Sequence, residues 1–127
     1  MRKPNFFVSR GYLQTHPEYI FVFGDNLDRK GKGGAAKLRD MPNSLGFITK
    51  RHPNQEDSSY YTPPEYIGLL SVEMIKLIQH IKEHPDKKYL ISKLGSGLAN
   101  KYGIWDIIRA SLEKLESLNP ERVILLW

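Results

Sequence analysis

With 127 residues, the chain is long enough to bury one hydrophobic core and short for two, so we expect a single domain over residues 1–127. Zero cysteines exclude disulfides and thiol catalysis. Because there is no apolar run near the roughly twenty residues of a membrane span, and no secretory signal pattern, we expect a cytoplasmic protein with no membrane partner. The net charge of +5 favours anionic partners without choosing between nucleotides and nucleic acid.

The first half of the chain predicts short strands separated by polar and glycine-rich loops. Residues 5–8 are a strand candidate, followed by a turn at Arg10-Gly11. The run "YIFVFG" at 19–24 is apolar almost throughout and stops at Gly-Asp-Asn, which is typical of a strand buried on both faces. A short helix over 34–39, a strand over 44–50 and a surface loop over 51–59 follow.

The second half predicts amphipathic helices alternating with apolar strands. Apolar residues recur at helical spacing from about residue 65 until His84-Pro85 ends the pattern. A strand over 88–92, a loop over 93–103, a helix over 104–118 and a strand over 122–127 complete the chain. This alternation predicts an α/β fold in three layers, with a mixed, mostly parallel sheet and helices on both faces.

The first glycine loop, "GDNLDRKGKGGAAK", follows the strand at 19–24. Asp25 and Asn26 are candidates for hydrogen bonds to a ribose or an amide. Glycines let backbone N–H groups approach an anion closely, and the surrounding lysines attract phosphate. The residues predicted to line such a site are Gly31, Gly33, Gly34 and Ala35. The loop matches neither the Walker pattern nor a dinucleotide fingerprint.

The second glycine loop runs from Leu94 to Leu98 and also follows a strand. The amides of Gly95 and Gly97 are expected to curl around a phosphate, with Ser96 donating a hydroxyl hydrogen bond and Leu98 completing the loop. In parallel sheets, ligands bind beyond the carboxyl ends of the strands, so both loops are expected at one edge. Together they predict an anionic nucleotide ligand.

The histidines and the distribution of charge give less information about function than the two glycine loops. The four histidines are interpreted as surface residues, and without a carboxylate cluster at ligand spacing we predict neither a metal site nor a cofactor. The lysines gather around one glycine loop, which favours a compact phosphate pocket over a nucleic-acid track. A basic nucleic-acid accessory protein nevertheless stays open as an alternative.

The order of these motifs, including "GDNLDRKGKGGAAK", "FITK", "LISKLGSGLANKYGIWDII" and "RVILLW", resembles the macro domain. It is most similar to the branch with the terminal ADP-ribose protein glycohydrolases and to a macro-like family of bacteriophage and bacterial genomes. The resemblance implies a three-layer macro-domain-like sandwich that holds ADP-ribose, or an ADP-ribosylated substrate, across the sheet edge. Asn26 and residues 31–35 would face the distal ribose and a phosphate, and residues 95–97 would wrap the diphosphate. A phage-encoded member would work in the host cytoplasm.

The same resemblance raises the question of catalysis. In the glycohydrolase branch, a lysine at the end of the second strand forms a covalent adduct with the distal ribose, and Lys50 matches that position. This implies an alternative function, that of an ADP-ribosyl hydrolase or another ADP-ribose-processing enzyme. The partner aspartate of that branch is replaced by Ala99. The first-turn residue that reads adenine is replaced by Tyr12, which is expected to stack on a base instead.

Overall fold

The computed structural model describes residues 1–127 and contains one four-stranded sheet. Its strands are β1 (Tyr19–Asn26), β2 (Ser44–Lys50), β3 (Lys88–Ile91) and β4 (Val123–Leu125), in the spatial order β2-β1-β3-β4. All three strand pairs are parallel, and the antiparallel pairing is a single bridge between Lys50 and Tyr60. The predicted α/β class is therefore confirmed.

The helices form a layer on each face of the sheet. They are α1 (Arg10–Thr15), α2 (Pro63–Glu83) and α3 (Trp105–Leu118), with short 3₁₀ turns at Gly34–Leu38, Asp57–Ser59 and Leu98–Tyr102. Helices α2 and α3 pack over buried Val22 and Ile91 on one face, while α1 and the first 3₁₀ turn pack over Phe21 and Phe23 on the other. None of the helices has the length and hydropathy that crossing a membrane requires.

Helix α2 also covers the edge strand β2. Ile48 of β2 donates its N–H to Glu73 Oε1 at 2.7 Å, and its carbonyl accepts a hydrogen bond from the hydroxyl of Tyr66. Both side chains are buried. They satisfy backbone groups that an open edge would offer to another chain, so α2 closes this side of the sheet.

The N-terminal segment differs from the sequence prediction. Residues 5–8 form no strand, because Asn5 adopts a left-handed φ of 63° and turns the chain away from the sheet. The edge of β4 is instead occupied by the first residues, where Lys3 N–H donates to Leu125 O at 2.8 Å. The predicted turn at Arg10-Gly11 is also wrong. It is the start of α1, which Ser9 caps by accepting the N–H of Tyr12 at 3.0 Å.

Candidate functional site

A cavity of about 520 Å³ opens where β1, β2 and β3 end. We call it the glycine-loop cavity, because both glycine loops form its walls. Since parallel strands end at the same edge of a sheet, the loops that follow them meet there, as the sequence predicts. Eleven of the predicted residues line it: Asp25, Asn26, Gly31, Gly33, Gly34, Ala35, Lys50, Gly95, Ser96, Gly97 and Leu98.

Tyr12 is the predicted site residue that does not line the cavity. It lies on α1, where its ring stacks on His16 with centroids 4.0 Å apart and on Tyr19 at 5.9 Å. Tyr19 is the first residue of β1, so this aromatic group is at the opposite edge of the sheet from the glycine loops. The expected contact between Tyr12 and a base is not possible in this arrangement.

Asp25, near the end of β1, anchors the first glycine loop through Arg39. Its carboxylate is only 2% exposed and pairs with Arg39 Nη1 at 2.5 Å. Arg39 Nη2 also donates to the carbonyl oxygens of Lys30 and Gly31, each at 3.1 Å, and its guanidinium lies 5.4 Å from the ring centroid of Phe23. Arg39 therefore ties the loop to the strand, and the Asp25 carboxylate is already occupied.

Asn26 and Ser96 also have internal roles that the sequence did not indicate. The Asn26 amide donates to Lys30 O at 2.8 Å and so closes the turn after β1. Both the hydroxyl and the N–H of Ser96 donate to Lys93 O, at 2.7 and 3.2 Å. The expected hydroxyl hydrogen bond from Ser96 to a ligand is therefore replaced by one that shapes the loop.

Several backbone N–H groups on the cavity wall have no acceptor within the protein, and six of them form two runs of three consecutive residues. One run, in the first loop, is Gly33, Gly34 and Ala35, and the other, at the end of the second loop, is Gly97, Leu98 and Ala99. Backbone donors are normally paired when they are not in contact with water. Two sets of free donors on the wall of one cavity can hold an anionic group with several oxygen atoms.

The charge of the cavity wall is positive. Lys30, Lys50 and Lys93 line it, whereas the one acidic residue of the wall is Asp25, whose carboxylate is paired with Arg39. Lys30 and Lys93 were not among the predicted site residues. The signal for them is present in the sequence, because each lies within or directly before a glycine loop.

Lys50 lies at the end of β2, where its Cα is paired with that of Asn26. Its ammonium group donates to Asn54 O at 2.8 Å and lies 4.7 Å from the ring centroid of Tyr60. Partial burial lowers the pKa of the Lys50 amine below its usual value. Ala99 also lines the cavity, so no carboxylate stands at the position that the glycohydrolase resemblance would require.

The loop over 51–59 forms one side of the cavity through Pro53. It is attached to the first glycine loop, where His52 Nδ1 lies 2.8 Å from Asp28 Oδ2, and to the 3₁₀ turn after the second, where Asp57 pairs with Lys101. The prediction of a surface loop is correct, and the loop also connects the two halves of the site.

A second, apolar cavity of about 370 Å³ adjoins the first and shares Gly34, Ala35, Ser92 and Lys93 with it. We call it the phenylalanine cavity, because Phe6, Phe7 and Phe21 line it. The Phe7 side chain is 70% exposed, although a large aromatic group usually finds cover. Lys37 Nζ lies 5.1 Å from its ring centroid.

The fold and the site together define a parallel α/β protein with a basic, amide-lined cavity at the carboxyl edge of its sheet. Residues 4–100 match the model of the Family of unknown function (DUF7831), a range that includes both glycine loops. The match covers more than half of the chain, which therefore belongs to this family. No curated protein and no solved structure matches the chain.

Proposed function

We propose that the protein binds ADP-ribose or a related NAD-derived nucleotide across the glycine-loop and phenylalanine cavities. The observation that carries this proposal is the presence of two sets of free backbone amides, at residues 33–35 and 97–99, on one basic cavity wall. The two cavities have about 520 and 370 Å³, within the usual range for small-molecule sites. The macro-domain resemblance supports the same ligand class.

In this proposal the diphosphate lies between the two sets of amides. Each phosphate accepts hydrogen bonds from one loop, and the lysine side chains at positions 30 and 93 supply the counter-charge. The distal ribose extends toward Lys50, at the end of β2. Asp25 acts only indirectly, because its carboxylate holds Arg39 and through it the first loop.

The base occupies the phenylalanine cavity in place of the contact expected from Tyr12. A planar, apolar group fits a cavity lined by aromatic and aliphatic side chains, and it would cover the exposed ring of Phe7. The shared wall at Gly34 and Ala35 places this cavity directly beside the first set of free amides. A nucleotide can therefore extend from one cavity into the other.

The test is a calorimetric titration of the purified protein with ADP-ribose, AMP, ribose 5-phosphate and NAD at about 0.15 M salt, where long-range charge attraction is largely screened. We expect saturable binding with one ADP-ribose per chain and weaker binding of each fragment. A DNA oligonucleotide is the competitor. Binding of DNA alone, with affinity that collapses as salt rises, would contradict the proposal and favour the nucleic-acid alternative.

Replacing Phe7 by alanine tests the position of the base. Stacking of a base on an aromatic ring contributes about 1–3 kcal/mol to the free energy of binding. We therefore expect Phe7→Ala to lower the affinity for ADP-ribose at least about fivefold. Ribose 5-phosphate, which has no base, should bind Phe7→Ala and wild type alike in the same calorimetric assay. Ile67→Ala is the matched control, since Ile67 is 58% exposed on α2, away from both cavities. If Phe7→Ala lost the same affinity for ADP-ribose and for ribose 5-phosphate, the base would not lie in the phenylalanine cavity.

A second candidate function is processing of ADP-ribose by Lys50. It is favoured by the position of the amine on the cavity wall and by its lowered pKa. In such a step, unprotonated Nζ bonds to the anomeric carbon of the distal ribose as the bond to the leaving carboxylate oxygen breaks. The proton released from the amine passes to water, and water later displaces the lysine.

Replacing Lys50 by alanine separates this candidate from simple binding. If Lys50 is the nucleophile, Lys50→Ala should abolish release of ADP-ribose from an ADP-ribosylated protein, while its affinity for free ADP-ribose changes only a few-fold. The wild-type rate should rise with pH as the amine loses its proton, and level off above its lowered pKa. Lys93→Ala is the control, and it should weaken binding. A wild-type protein without turnover would leave binding as the function.

A further inference from the structure

Helix α2 presents an apolar face to solvent in addition to the face that it buries. Over residues 66–75 the one charged residue is Glu73, whose side chain is 3% exposed and bonded to β2. The exposed residues of the same stretch carry no charge, and Ile67 and Ile75 are 58% and 56% exposed. We call this surface the α2 outer face, and its residues are Ile67, Gly68, Ser71, Val72 and Ile75.

Helix α3 shows how the solvent-facing side of a helix is otherwise built in this protein. Its exposed residues include Asp106, Arg109 and Lys114. A helix that faces water on one side usually has charged and polar residues there, whereas a helix that is apolar all round is usually covered. No residue of the α2 outer face lines the glycine-loop or the phenylalanine cavity, so the proposed nucleotide site does not account for it.

Gly68 is a second feature of this face that the single chain does not explain. Glycine in the interior of a helix is destabilising relative to alanine. A Cβ built at Gly68 would meet no atom within 4 Å, so nothing inside the chain excludes a side chain there. Together with Ser71, about one turn later, Gly68 leaves room for the backbone of a second helix to pack closely.

The charges that flank the α2 outer face make it complementary to itself. Glu65 precedes the face and Lys76 follows it, with side chains 49% and 60% exposed. They are about three helical turns apart and therefore lie on the same side of α2. In an antiparallel pair of α2 helices with a two-fold axis at Ser71, Glu65 of each copy lies opposite Lys76 of the other. The same axis places Ile67 opposite Ile75, whereas a parallel pair would place like charges together.

The same charges favour a second copy of the chain over other occupants. A helix that lies on a membrane surface is rich in Lys and Arg beside its apolar face, whereas this face is flanked by one acidic and one basic residue. An unrelated protein would need the reverse order of charges, which α2 itself supplies. Glu65 and Lys76 also have partners in their own chain, Arg51 at 2.9 Å and Glu73 at 3.5 Å. Contact between copies therefore orients the pair more than it strengthens it.

We propose that two copies of the chain associate through the α2 outer face, with the two α2 helices antiparallel and a two-fold axis at Ser71. Burial of the apolar side chains supplies the attraction, and Gly68 and Ser71 allow close packing where the helices cross. A contact of one helix from each chain is smaller than the roughly 1,200 Å² of a stable complex, so the association is weak and depends on concentration. The glycine-loop cavity of each copy stays open, because no residue of the outer face lines it.

The experiment is analytical ultracentrifugation of the purified chain from about 10 μM to about 1 mM, the range that a weak interface requires. We expect a reversible monomer–dimer equilibrium, and at least about tenfold weaker association in Ser71→Arg, which brings two like charges together at the axis. Ala110→Arg is the matched control, because Ala110 is exposed on α3, and it should associate like wild type. A chain that stays monomeric throughout, equal effects of the two variants, or a monomer that sediments with anionic lipid vesicles would overturn the proposal.

A cross-linking experiment tests the antiparallel arrangement and does not depend on how Ser71→Arg folds. The chain has no cysteine, so Ile67→Cys and Ile75→Cys each introduce a single thiol. A disulfide requires Cα atoms within about 7 Å of each other. When the two variants are mixed and oxidised, we expect mass spectrometry to find mainly peptides that join position 67 of one chain to position 75 of the other. Ala110→Cys should stay unlinked. Absence of the 67–75 link, links mainly between identical variants, or equal linking of Ala110→Cys would contradict the arrangement. Because the outer face lines neither cavity, no outcome bears on nucleotide binding.

Discussion

Replacing Arg39 by methionine is expected to lower the free energy of unfolding by about 3 kcal/mol, because it leaves a buried carboxylate without its main partner. Asp25 is 2% exposed, and its remaining cation is Arg29, at 3.7 Å and largely in solvent. Methionine retains an apolar contact with Phe23, so the loss reflects the charge pair together with the hydrogen bonds of Arg39 to Lys30 O and Gly31 O. Urea denaturation of the variant and wild type measures the difference.

Two further variants test this explanation. Arg10→Met removes an ion pair with Asp40 in which both side chains are exposed, and it should cost less than about 1 kcal/mol. Adding Asp25→Asn to Arg39→Met removes the unpaired charge, and it should recover part of the lost stability. If Arg39→Met is no more destabilising than Arg10→Met, the pair does not anchor the loop.

Arg39→Met should also weaken the binding of ADP-ribose, although Arg39 does not line the glycine-loop cavity. Its guanidinium holds the carbonyl oxygens of Lys30 and Gly31, and releasing them frees the first set of amides to move. We expect at least about a tenfold loss of affinity, since ordered donors bind an anion better than mobile ones. Unchanged affinity in a folded variant would show that the first loop does not hold the ligand.

The second large effect is expected from Gly95→Ala. Gly95 has a φ of +76°, and a Cβ built there would lie 2.6 Å from Ile108 Cδ1 in the core. The left-handed backbone costs a non-glycine residue about 1–2 kcal/mol, and overpacking adds about 1–3 kcal/mol. We therefore expect a loss of about 3 kcal/mol in denaturant unfolding, together with weaker ADP-ribose binding because the second loop is displaced.

Gly103→Ala is the matched control for Gly95→Ala. Gly103 has a similar φ of +86°, but nothing lies within 4 Å of its missing Cβ. Its replacement by alanine should lower the free energy of unfolding only by the cost of the left-handed backbone, about 1–2 kcal/mol. Adding Ile108→Val to Gly95→Ala removes the methyl group that clashes, so the double variant should be more stable than the sum of the two single changes. Strict additivity would contradict the proposed clash.

The parts of the fold and site that the sequence predicted depend on local patterns. Apolar runs such as 19–24 and the helical spacing over α2 predict elements directly, and alternation of strands and helices predicts a parallel sheet. The parallel sheet in turn places both glycine loops at one edge, which is why eleven of the predicted residues line one cavity. No tertiary detail is needed for these steps.

The remaining features depend on contacts between distant residues. Arg39 lies 14 positions after Asp25, and no local pattern distinguishes it from the other basic residues nearby. The same is true of the N-terminal segment, where a left-handed Asn5 sends Phe7 to the apolar cavity and the start of α1 takes Tyr12 to the other edge. The base contact expected from Tyr12 is therefore not possible in this arrangement, and Phe7 is the aromatic residue proposed for it instead.

The most direct test of the account is a two-dimensional amide NMR titration with ADP-ribose. It observes the six N–H groups that are proposed to hold the diphosphate, at residues 33–35 and 97–99. We predict that these amides show the largest shifts, that both sets move together to saturation, and that the shifts persist at about 0.15 M salt. Shifts confined to exposed lysine-rich segments and lost as salt rises, or no shift at either set, would contradict the account.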